Sequence, residues 1–340
     1  MLIGSCSIAP DHAAVIGPFP ECKTALNLAI GEVSCTNQAG GHHRIMSLLH
    51  HRLTRRQFAA LAALSAAGVI AGDTLWWETL HPELVELDLA LPDLPASFDG
   101  YRILHLTDFH HSSTVPLSLI ESVVERGKDL RADLVALTGD FVTSDRYQFV
   151  PGLPYAAPCI QALSRLKAPD GVFAVLGNHD NLTNGDEIAK LLKDAGIHLL
   201  RNQGQRITRK KDSIWVGGVD DFLTGRDVGN GLRRALEGRN AAETSLLLAH
   251  NPDQFPEFVE RGVSVALCGH THGGQVRLPV AGPIFVPSRY GGRFAYGIFR
   301  ERVTAMWVSK GIGTFLLPVR MLCRAEMVLI TMRRENRRSS

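Results

Sequence analysis

From position 101 onward, short apolar runs alternate with amphipathic stretches. Runs typical of buried strands occupy 101–107, 134–138, 171–176, 245–249, 263–268, 303–308 and 327–332. Apolar residues at helical spacing predict helices over 116–130, with Pro116 in the first turn, and over 187–194, ending before Gly196. Three short segments are predicted to form strands of a meander: 197–200, 205–208 and 213–217. This alternation predicts an α/β fold.

The first 72 residues have a different pattern. Residues 1–45 show no clear period, and we interpret them as a disordered leader or an over-extended start, with Met46 as an alternative first residue. In 46–72, Arg55 and Arg56 precede the uncharged Ala- and Leu-rich run 59–71, which resembles a twin-arginine export signal or an uncleaved N-terminal anchor. That run is shorter than the roughly 20 apolar residues of a bilayer span. An amphipathic helix packed on the domain is the alternative.

Composition narrows the class of protein. The chain has 340 residues, of which 45% are hydrophobic and 21% charged, as in ordinary globular proteins. Neither a repeat nor a linker interrupts 73–332, so one domain is predicted there, followed by the polar tail 333–340. Removing the five basic and three acidic residues of 1–71 from the totals of 36 and 34 leaves 31 of each. A neutral domain argues against nucleic acid as a partner, and the lack of a C-x-x-C pair argues against a zinc knuckle.

Side chains suited to metal ligation follow five of the predicted strands. They are Asp108 and His110, Asp140, Asn178 with His179, His250, and His270 with His272. Because ligands bind outside the carboxyl ends of strands in open α/β sheets, we expect these loops to converge. Each motif alone is commonly structural, but all five at strand ends favour a site. Carboxylate, imidazole and amide donors suit manganese, iron or zinc, and a bridging Asp is typical of a dinuclear centre.

In their order along the chain, these motifs resemble the calcineurin-like metallophosphoesterase superfamily. The resemblance covers about residues 80–332 and implies a four-layer α/β/β/α sandwich with two mixed β-sheets. The segments 91–95, 98–100, 273–275 and 311–313 resemble a bacterial twin-arginine-exported branch. That branch is similar to membrane-associated phosphodiesterases, including UDP-2,3-diacylglucosamine pyrophosphohydrolases.

The resemblance also implies roles for the site residues. Asp108, His110 and His272 would hold the first of two divalent metal ions. Asn178, His250 and His270 would hold the second, and Asp140 would bridge them. His179 would be the general acid or a donor to a phosphate oxygen. The metals would supply a hydroxide near neutral pH for attack on phosphorus.

One position departs from the superfamily's protein phosphatases. Those enzymes carry a second Asp, three residues after the bridging Asp, that orients the catalytic His. Thr143 stands at that position here, which argues against a protein phosphatase. Asp180 and Asp145 are alternative candidates for orienting His179.

Two segments bear on the substrate. Residues 282–297 and 315–323 mix apolar side chains with Arg289, Arg293 and Arg320. Such a surface could seat a lipid phosphate at a membrane face, or it could consist of ordinary loops with core aromatics. Trp76 and Trp77 suit either an interfacial position beside an anchor or a buried core.

Together these features predict a dinuclear-metal phosphoesterase that hydrolyses a phosphodiester or pyrophosphate bond outside the cytoplasmic membrane, with a membrane lipid as one candidate substrate. The predicted partners are that substrate, the twin-arginine export machinery and the membrane surface. A hydrolase of soluble nucleotides or small phosphodiesters is the first alternative, and a non-catalytic metal-bound scaffold is the second. Because UDP-linked glycolipid precursors are made in the cytoplasm, an exported enzyme better suits an exported lipid.

Overall fold

The structure is a computed structural model that describes residues 54–147, 151–227 and 229–335. The predicted leader 1–45, Met46 and the end of the tail, 336–340, lie outside the described residues.

Strands and helices alternate along most of the described chain. The strands are β1 (Glu83–Leu91), β2 (Tyr101–Leu106), β3 (Leu134–Leu137), β4 (Val172–Ala174), β5 (His198–Leu199), β6 (Gln203–Arg209), β7 (Asp212–Gly218), β8 (Ser245–Leu248), β9 (Val265–Cys268), β10 (Arg277–Leu278), β11 (Gly282–Pro283), β12 (Gly297–Glu301), β13 (Thr304–Val308) and β14 (Glu326–Arg334). The α-helices are α1 (Arg55–Gly72), α2 (Glu78–Leu80), α3 (Leu117–Asp129), α4 (Leu153–Leu163), α5 (Asn178–Asp194), α6 (Gly231–Ala235) and α7 (Phe255–Glu260). A π-helical segment, Asp73–Trp77, joins α1 to α2, and short 3₁₀ turns occupy Ala96–Phe98, Asp145–Tyr147, Pro252–Gln254, His272–Gly274 and Gly291–Phe294.

Two six-stranded mixed sheets lie at the centre of the fold. The first has the order β1-β14-β2-β3-β4-β5 and the second has the order β12-β13-β9-β8-β7-β6. One apolar core lies between the sheets, a second lies between the first sheet and α3, α4 and α5, and a third covers the second sheet with α6 and α7. The four-layer α/β/β/α sandwich expected from the resemblance is therefore confirmed.

Strand β2 shows how these layers produce the apolar runs of the sequence. Ile103 contributes to the core between the sheets, whereas Leu104 and Leu106 pack in the core beneath the helices. Because successive side chains of a strand point to opposite faces, a strand buried on both faces is apolar throughout.

Two predicted elements differ from the structure. The expected meander is wrong, because β5 pairs with β4 in the first sheet while β6 and β7 form an antiparallel hairpin in the second. Helix α5 begins at Asn178, well before the predicted 187–194. Its first turn faces the polar loops described below and therefore lacks the apolar spacing on which the prediction rested.

The N-terminal helix α1 does not pack on the domain. No residue of α1 is buried, so an amphipathic helix packed on the domain is wrong. The helical segment Arg55–Leu80 is 26 residues long and apolar enough to cross a membrane, by length and composition only, a test that signal sequences also pass. Trp76 and Trp77 are exposed, so the buried-core interpretation of this pair is wrong.

The end of this helical segment is attached to the domain by hydrogen bonds. The Arg320 N–H donates to the Thr74 carbonyl at 3.0 Å, and the Cys323 N–H donates to Glu78 Oε2 at 3.0 Å. The loop around residue 320 therefore anchors the segment that follows α1.

Candidate metal centre

The five predicted loops meet at one edge of the two sheets. Strands β2, β3 and β4 run parallel in the first sheet, and β8 and β9 run parallel in the second. Their carboxyl ends thus bring together side chains far apart in sequence. All the predicted site residues are buried except Asn178 and His270, which are half-buried.

The first group of donor atoms comes from the loops after β2 and β9. Nε2 of His272 lies 3.3 Å from Oδ1 of Asp108 and 3.0 Å from Nε2 of His110. These are the residues predicted to hold the first metal, and they offer ligand atoms within 4.8 Å of one another.

The second group comes from the loops after β4, β8 and β9. Nε2 of His250 lies 3.1 Å from Oδ1 of Asn178 and 3.2 Å from Nδ1 of His270. The three residues predicted to hold the second metal therefore also converge.

Asp140 lies between the two groups. Its Oδ2 is 3.4 Å from Nε2 of His110 and 3.2 Å from Nε2 of His250. Its Oδ1 accepts the backbone N–H of His179 at 2.9 Å, in the first turn of α5, where the helix dipole favours a negative charge. One carboxylate oxygen thus faces both groups while the helix holds the other.

The donor set fits two divalent cations. Two pairs of imidazole nitrogens lie 3.0 and 3.2 Å apart, beside carboxylate and amide oxygens, so that both rings of a pair could bind one cation once they are deprotonated. Burial works against a charge on His250, but the neighbouring Asp140 carboxylate outweighs it and raises the pKa of His250 to about 10. Burial also disfavours the charged Asp140, yet the surrounding histidines hold the pKa of this carboxyl well below its usual range. The carboxylate therefore stays ionised and attracts positive charge.

Comparison with known proteins agrees with this donor set. A family model described as calcineurin-like phosphoesterase matches residues 101–274, the range that contains all eight predicted site residues. The chain belongs to this family.

Its relatives extend over most of the chain. It is 31% identical over 294 residues to the metallophosphoesterase YkuE of Bacillus subtilis, which covers 84% of this chain and 99% of YkuE. It is 33% identical over 285 residues to the phosphodiesterase YaeI of Escherichia coli, which covers 82% of this chain and 98% of YaeI. A transmembrane protein with a metallophosphoesterase domain from Danio rerio is 29% identical over 263 residues, which cover 74% of this chain and 57% of that protein. The chain described in this structure is therefore a phosphoester hydrolase.

The backbone at the metallophosphoesterase site is strained. Five predicted ligands have a positive φ: Asp108 (54°), His110 (47°), Asp140 (52°), His270 (71°) and His272 (51°). For residues other than glycine this conformation costs about 1 kcal/mol or more each. The concentration of such residues in one place indicates that the surrounding fold holds the loops in position for ligation.

Two glycines allow the carboxylates to approach the backbone. A Cβ on Gly177 would lie 2.1 Å from Oδ1 of Asp140, and one on Gly269 would lie 2.1 Å from Oδ2 of Asp108. Both distances are far inside van der Waals contact, so no larger residue fits. This explains why a glycine precedes Asn178 and His270 in the motifs.

Sequence reasoning missed the groups that orient the predicted ligands. Nδ1 of His250 donates to the Thr138 carbonyl at 2.8 Å, which turns Nε2 toward the site. Nδ1 of His110 lies 3.2 Å from Oγ1 of Thr143. Thr143, which replaces the Asp of the protein phosphatases, therefore supports a predicted metal ligand.

His179 is oriented by the backbone. The Ser144 N–H donates to its Nδ1 at 3.0 Å, so the neutral ring carries its proton on Nε2. Burial lowers the pKa of His179 to about 3, which keeps the ring neutral. A neutral ring fits the predicted role of a donor to a phosphate oxygen better than that of a general acid. Its ligand atom also lies within 4.8 Å of those of His110 and Asp140, so a test of metal content is needed to separate a substrate contact from a metal ligand.

The two carboxylates considered for orienting His179 serve other groups. Asp180 accepts the backbone N–H groups of Asp140 and Gly177 at 2.8 and 2.9 Å, and it also accepts that of Phe141 at 2.8 Å. Burial and the nearby Asp140 raise the pKa of Asp180 to about 8. Asp180 therefore fixes the Asp140 loop to the start of α5. Asp145 accepts the Gly152 N–H at 2.5 Å.

A cavity of about 480 Å³ opens over the metal site. His179 and His270 form part of its floor, and Arg146, Arg289, Phe222 and Phe315 contribute to its walls. The guanidinium of Arg289 lies over the Phe222 ring, 4.6 Å from its centroid.

The expectation that Arg320 could seat a lipid phosphate is wrong. Its side chain is fully buried, and its guanidinium donates to the carbonyls of Cys323, Lys310 and Gly313, among others. Arg320 therefore organises the loop rather than facing a substrate.

Proposed function

We propose that this protein hydrolyses phosphodiesters or pyrophosphates at a dinuclear centre of manganese, iron or zinc. Asp108, His110 and His272 would hold one ion and Asn178, His250 and His270 the other, with Asp140 bridging. The observation that carries this proposal is the position of Asp140 Oδ2, at 3.4 and 3.2 Å from one histidine of each group.

The bound ions would supply an activated water and stabilise negative charge on the phosphate oxygens. The protein's own residues would do the rest. With its proton on Nε2, the neutral ring of His179 can donate a hydrogen bond to the oxygen of the leaving group and stabilise its developing negative charge. Arg146 and Arg289, which line the cavity, can neutralise further negative charge on the substrate.

The shape and lining of the cavity favour a diester over a monoester. A volume of about 480 Å³, with the apolar side chains of Phe222, Leu223 and Phe315 among its lining, leaves room for a substituent on each side of the phosphorus. The name of YaeI, a phosphodiesterase, supports the same choice.

A metal-reconstituted activity panel tests this function. We expect chelated protein to regain activity with at least one of Mn²⁺, Fe²⁺ and Zn²⁺, and to hydrolyse bis-p-nitrophenyl phosphate at least about tenfold faster than p-nitrophenyl phosphate. Faster turnover of the monoester would contradict the diesterase proposal. Metal binding without turnover of any ester would favour the scaffold alternative.

We also propose that the chain is exported and acts at the outer face of the cytoplasmic membrane. Three features support this: the Arg55-Arg56 pair, the exposed apolar segment Arg55–Leu80, and a relative that is a transmembrane protein. We expect Arg55→Lys/Arg56→Lys to leave active enzyme in the cytoplasm, because a receptor distinguishes the donor geometry of Arg from that of Lys.

Two consecutive arginines in α6, Arg233 and Arg234, provide the matched control. Arg233→Lys/Arg234→Lys keeps the same charges and lies on an exposed face, so its export should equal that of the wild type in cell fractionation. Normal export of the Arg55→Lys/Arg56→Lys variant would contradict the targeting proposal.

A further inference from the structure

A second cavity, of about 360 Å³, adjoins the cavity over the metal site. Its walls are almost entirely apolar and include Val276, Ile284, Phe285, Leu316 and Leu317. The two cavities share His272, Pro287 and Phe315. We name this second cavity the apolar groove. Because His272 is a predicted ligand, the groove begins directly beside the metal site.

The rim of the apolar groove is open to solvent. Ile284 and Phe285 are each 64% exposed, and Leu316 and Leu317 are 61% and 63% exposed. A concentration of large apolar side chains on a surface marks a binding site for an apolar partner.

Hydrogen bonds hold the groove in shape. The side-chain amide of Gln275 donates to the carbonyls of Phe315 and Leu317 at 2.9 and 3.0 Å, and its oxygen accepts the Phe315 N–H at 2.7 Å. Both backbone polar groups of Phe315 and the carbonyl of Leu317 are therefore satisfied within the protein, while the apolar side chains line the groove. A preformed groove binds without the entropic cost of ordering its walls.

The chain itself connects the groove to the candidate membrane segment. Residues 315–317 form one wall, and a few residues later Arg320 donates its N–H to the Thr74 carbonyl at 3.0 Å. Thr74 lies within Arg55–Leu80, the helical segment apolar enough to cross a membrane. In a bilayer crossed by this segment, molecules with hydrocarbon chains would be available to the groove.

We propose that the apolar groove binds an alkyl chain of a substrate whose phosphate lies at the metal centre. The substrate class is accordingly an amphiphilic phosphodiester, with its hydrocarbon chain on the His272 and Phe315 side of the phosphate. This inference rests on the proposed function, since it needs the ester to be bound at the metals. The apolar side chains of the groove would recognise the hydrocarbon chain, and Arg320 would take no part in binding the substrate.

A series of p-nitrophenyl phosphodiesters that differ only in the second ester group, methyl, butyl or octyl, tests the proposal. The full chain is held in amphipol and the esters are kept below their micelle-forming concentrations. We expect kcat/KM to rise with chain length, by about tenfold or more from methyl to octyl, because each methylene that enters the groove removes apolar surface from water. In Leu316→Ser/Leu317→Ser the octyl-to-methyl ratio should fall toward 1.

Val303→Ser is the matched control, because Val303 is also exposed, at 52%, and lies outside the groove. Partitioning of the esters into amphipol is the same for every variant, so this control should keep the wild-type ratio. A wild-type ratio near 1, or a ratio unchanged in Leu316→Ser/Leu317→Ser, would overturn the inference while methyl-ester hydrolysis still supported the proposed function. The inference would also be overturned if Leu316→Ser/Leu317→Ser weakened only the binding of the protein to phospholipid vesicles and left the octyl-to-methyl ratio unchanged. The groove would then be a membrane-docking surface. Absence of methyl-ester hydrolysis would instead contradict the proposed function.

Discussion

The backbone N–H of Ser144 donates to Nδ1 of His179 at 3.0 Å. This contact orients the ring that the protein phosphatases of the superfamily orient with an Asp. A backbone donor differs from a carboxylate in one respect: it places the proton of the neutral ring on Nε2, and it does not stabilise a positive charge on the ring. His179 is therefore suited to donate a hydrogen bond to the substrate.

We expect His179→Ala to lower kcat by about 10²- to 10³-fold on an alkyl leaving group, because the negative charge on its oxygen loses a hydrogen-bond donor. The loss should be much smaller on p-nitrophenolate, because its ring delocalises the negative charge and it needs less stabilisation by a hydrogen bond. Metal content, measured by mass spectrometry, should stay near that of the wild type. His198→Ala, at an exposed histidine, is the control. A fall in the metal content of His179→Ala would instead identify this residue as a ligand, as its distance from His110 and Asp140 allows.

Asp140→Asn tests the bridging position. An amide cannot neutralise two cations with one oxygen as a carboxylate does, so we expect turnover to fall by at least about 10³-fold and both metals to bind more weakly. Titration with Mn²⁺ followed by calorimetry measures both sites. Asp88→Asn, at an exposed surface carboxylate, should behave as the wild type. Retention of two tightly bound ions and full activity in Asp140→Asn would refute the bridging role.

Thr143→Val tests the support of His110. The hydroxyl lies 3.2 Å from Nδ1 of His110, where it can accept the proton of a ring that binds metal through Nε2. Loss of such a partner commonly weakens metal binding by about 10- to 100-fold, and we expect the same here for one of the two ions. Thr304→Val is the matched control, since Thr304 is buried and its hydroxyl has no hydrogen-bond partner within the described part of the chain. Equal metal affinity in both variants would contradict this role.

His105 provides a prediction for acid stability. Burial lowers the pKa of His105 to about 3, whereas the unfolded chain has a histidine pKa near 6.5. Between these values the unfolded state binds more protons, so this contribution to the free energy of unfolding is present above about pH 6.5 and is lost as the pH falls toward 3. From pH 7 to 5 the loss is about 2 kcal/mol.

His105→Gln isolates this contribution, because the glutamine amide can keep the contact that Nε2 makes with Thr138 Oγ1 at 2.8 Å. Urea unfolding at pH 7 and pH 5 should show a smaller acid loss in this variant than in the wild type. His198→Gln, at an exposed ring, should retain the wild-type difference. If the free energy of unfolding fell equally between pH 7 and pH 5 in the wild type and in His105→Gln, His105 would not be the source of the acid destabilisation.

Much of the site could be predicted from local sequence. Strands buried on both faces are apolar throughout, and ligand-type residues directly follow them, so Asp108, Asp140 and His250 could each be placed at the end of a strand. Parallel strands then bring their ends together, as the structure shows. The four-layer fold followed from the resemblance that those same motifs carry.

Tertiary structure alone decided how the site is supported. The Ser144 N–H and the Thr138 carbonyl are backbone groups, and a backbone group has no signature in the amino-acid sequence. The partners of Asp180 and the burial of Arg320 depend on which loops fold over them, so the same residue types could equally have faced a substrate. The pairing of β5 with β4 rather than with β6 was likewise outside the reach of local pattern, because a two-residue strand obtains its stability from the sheet that receives it.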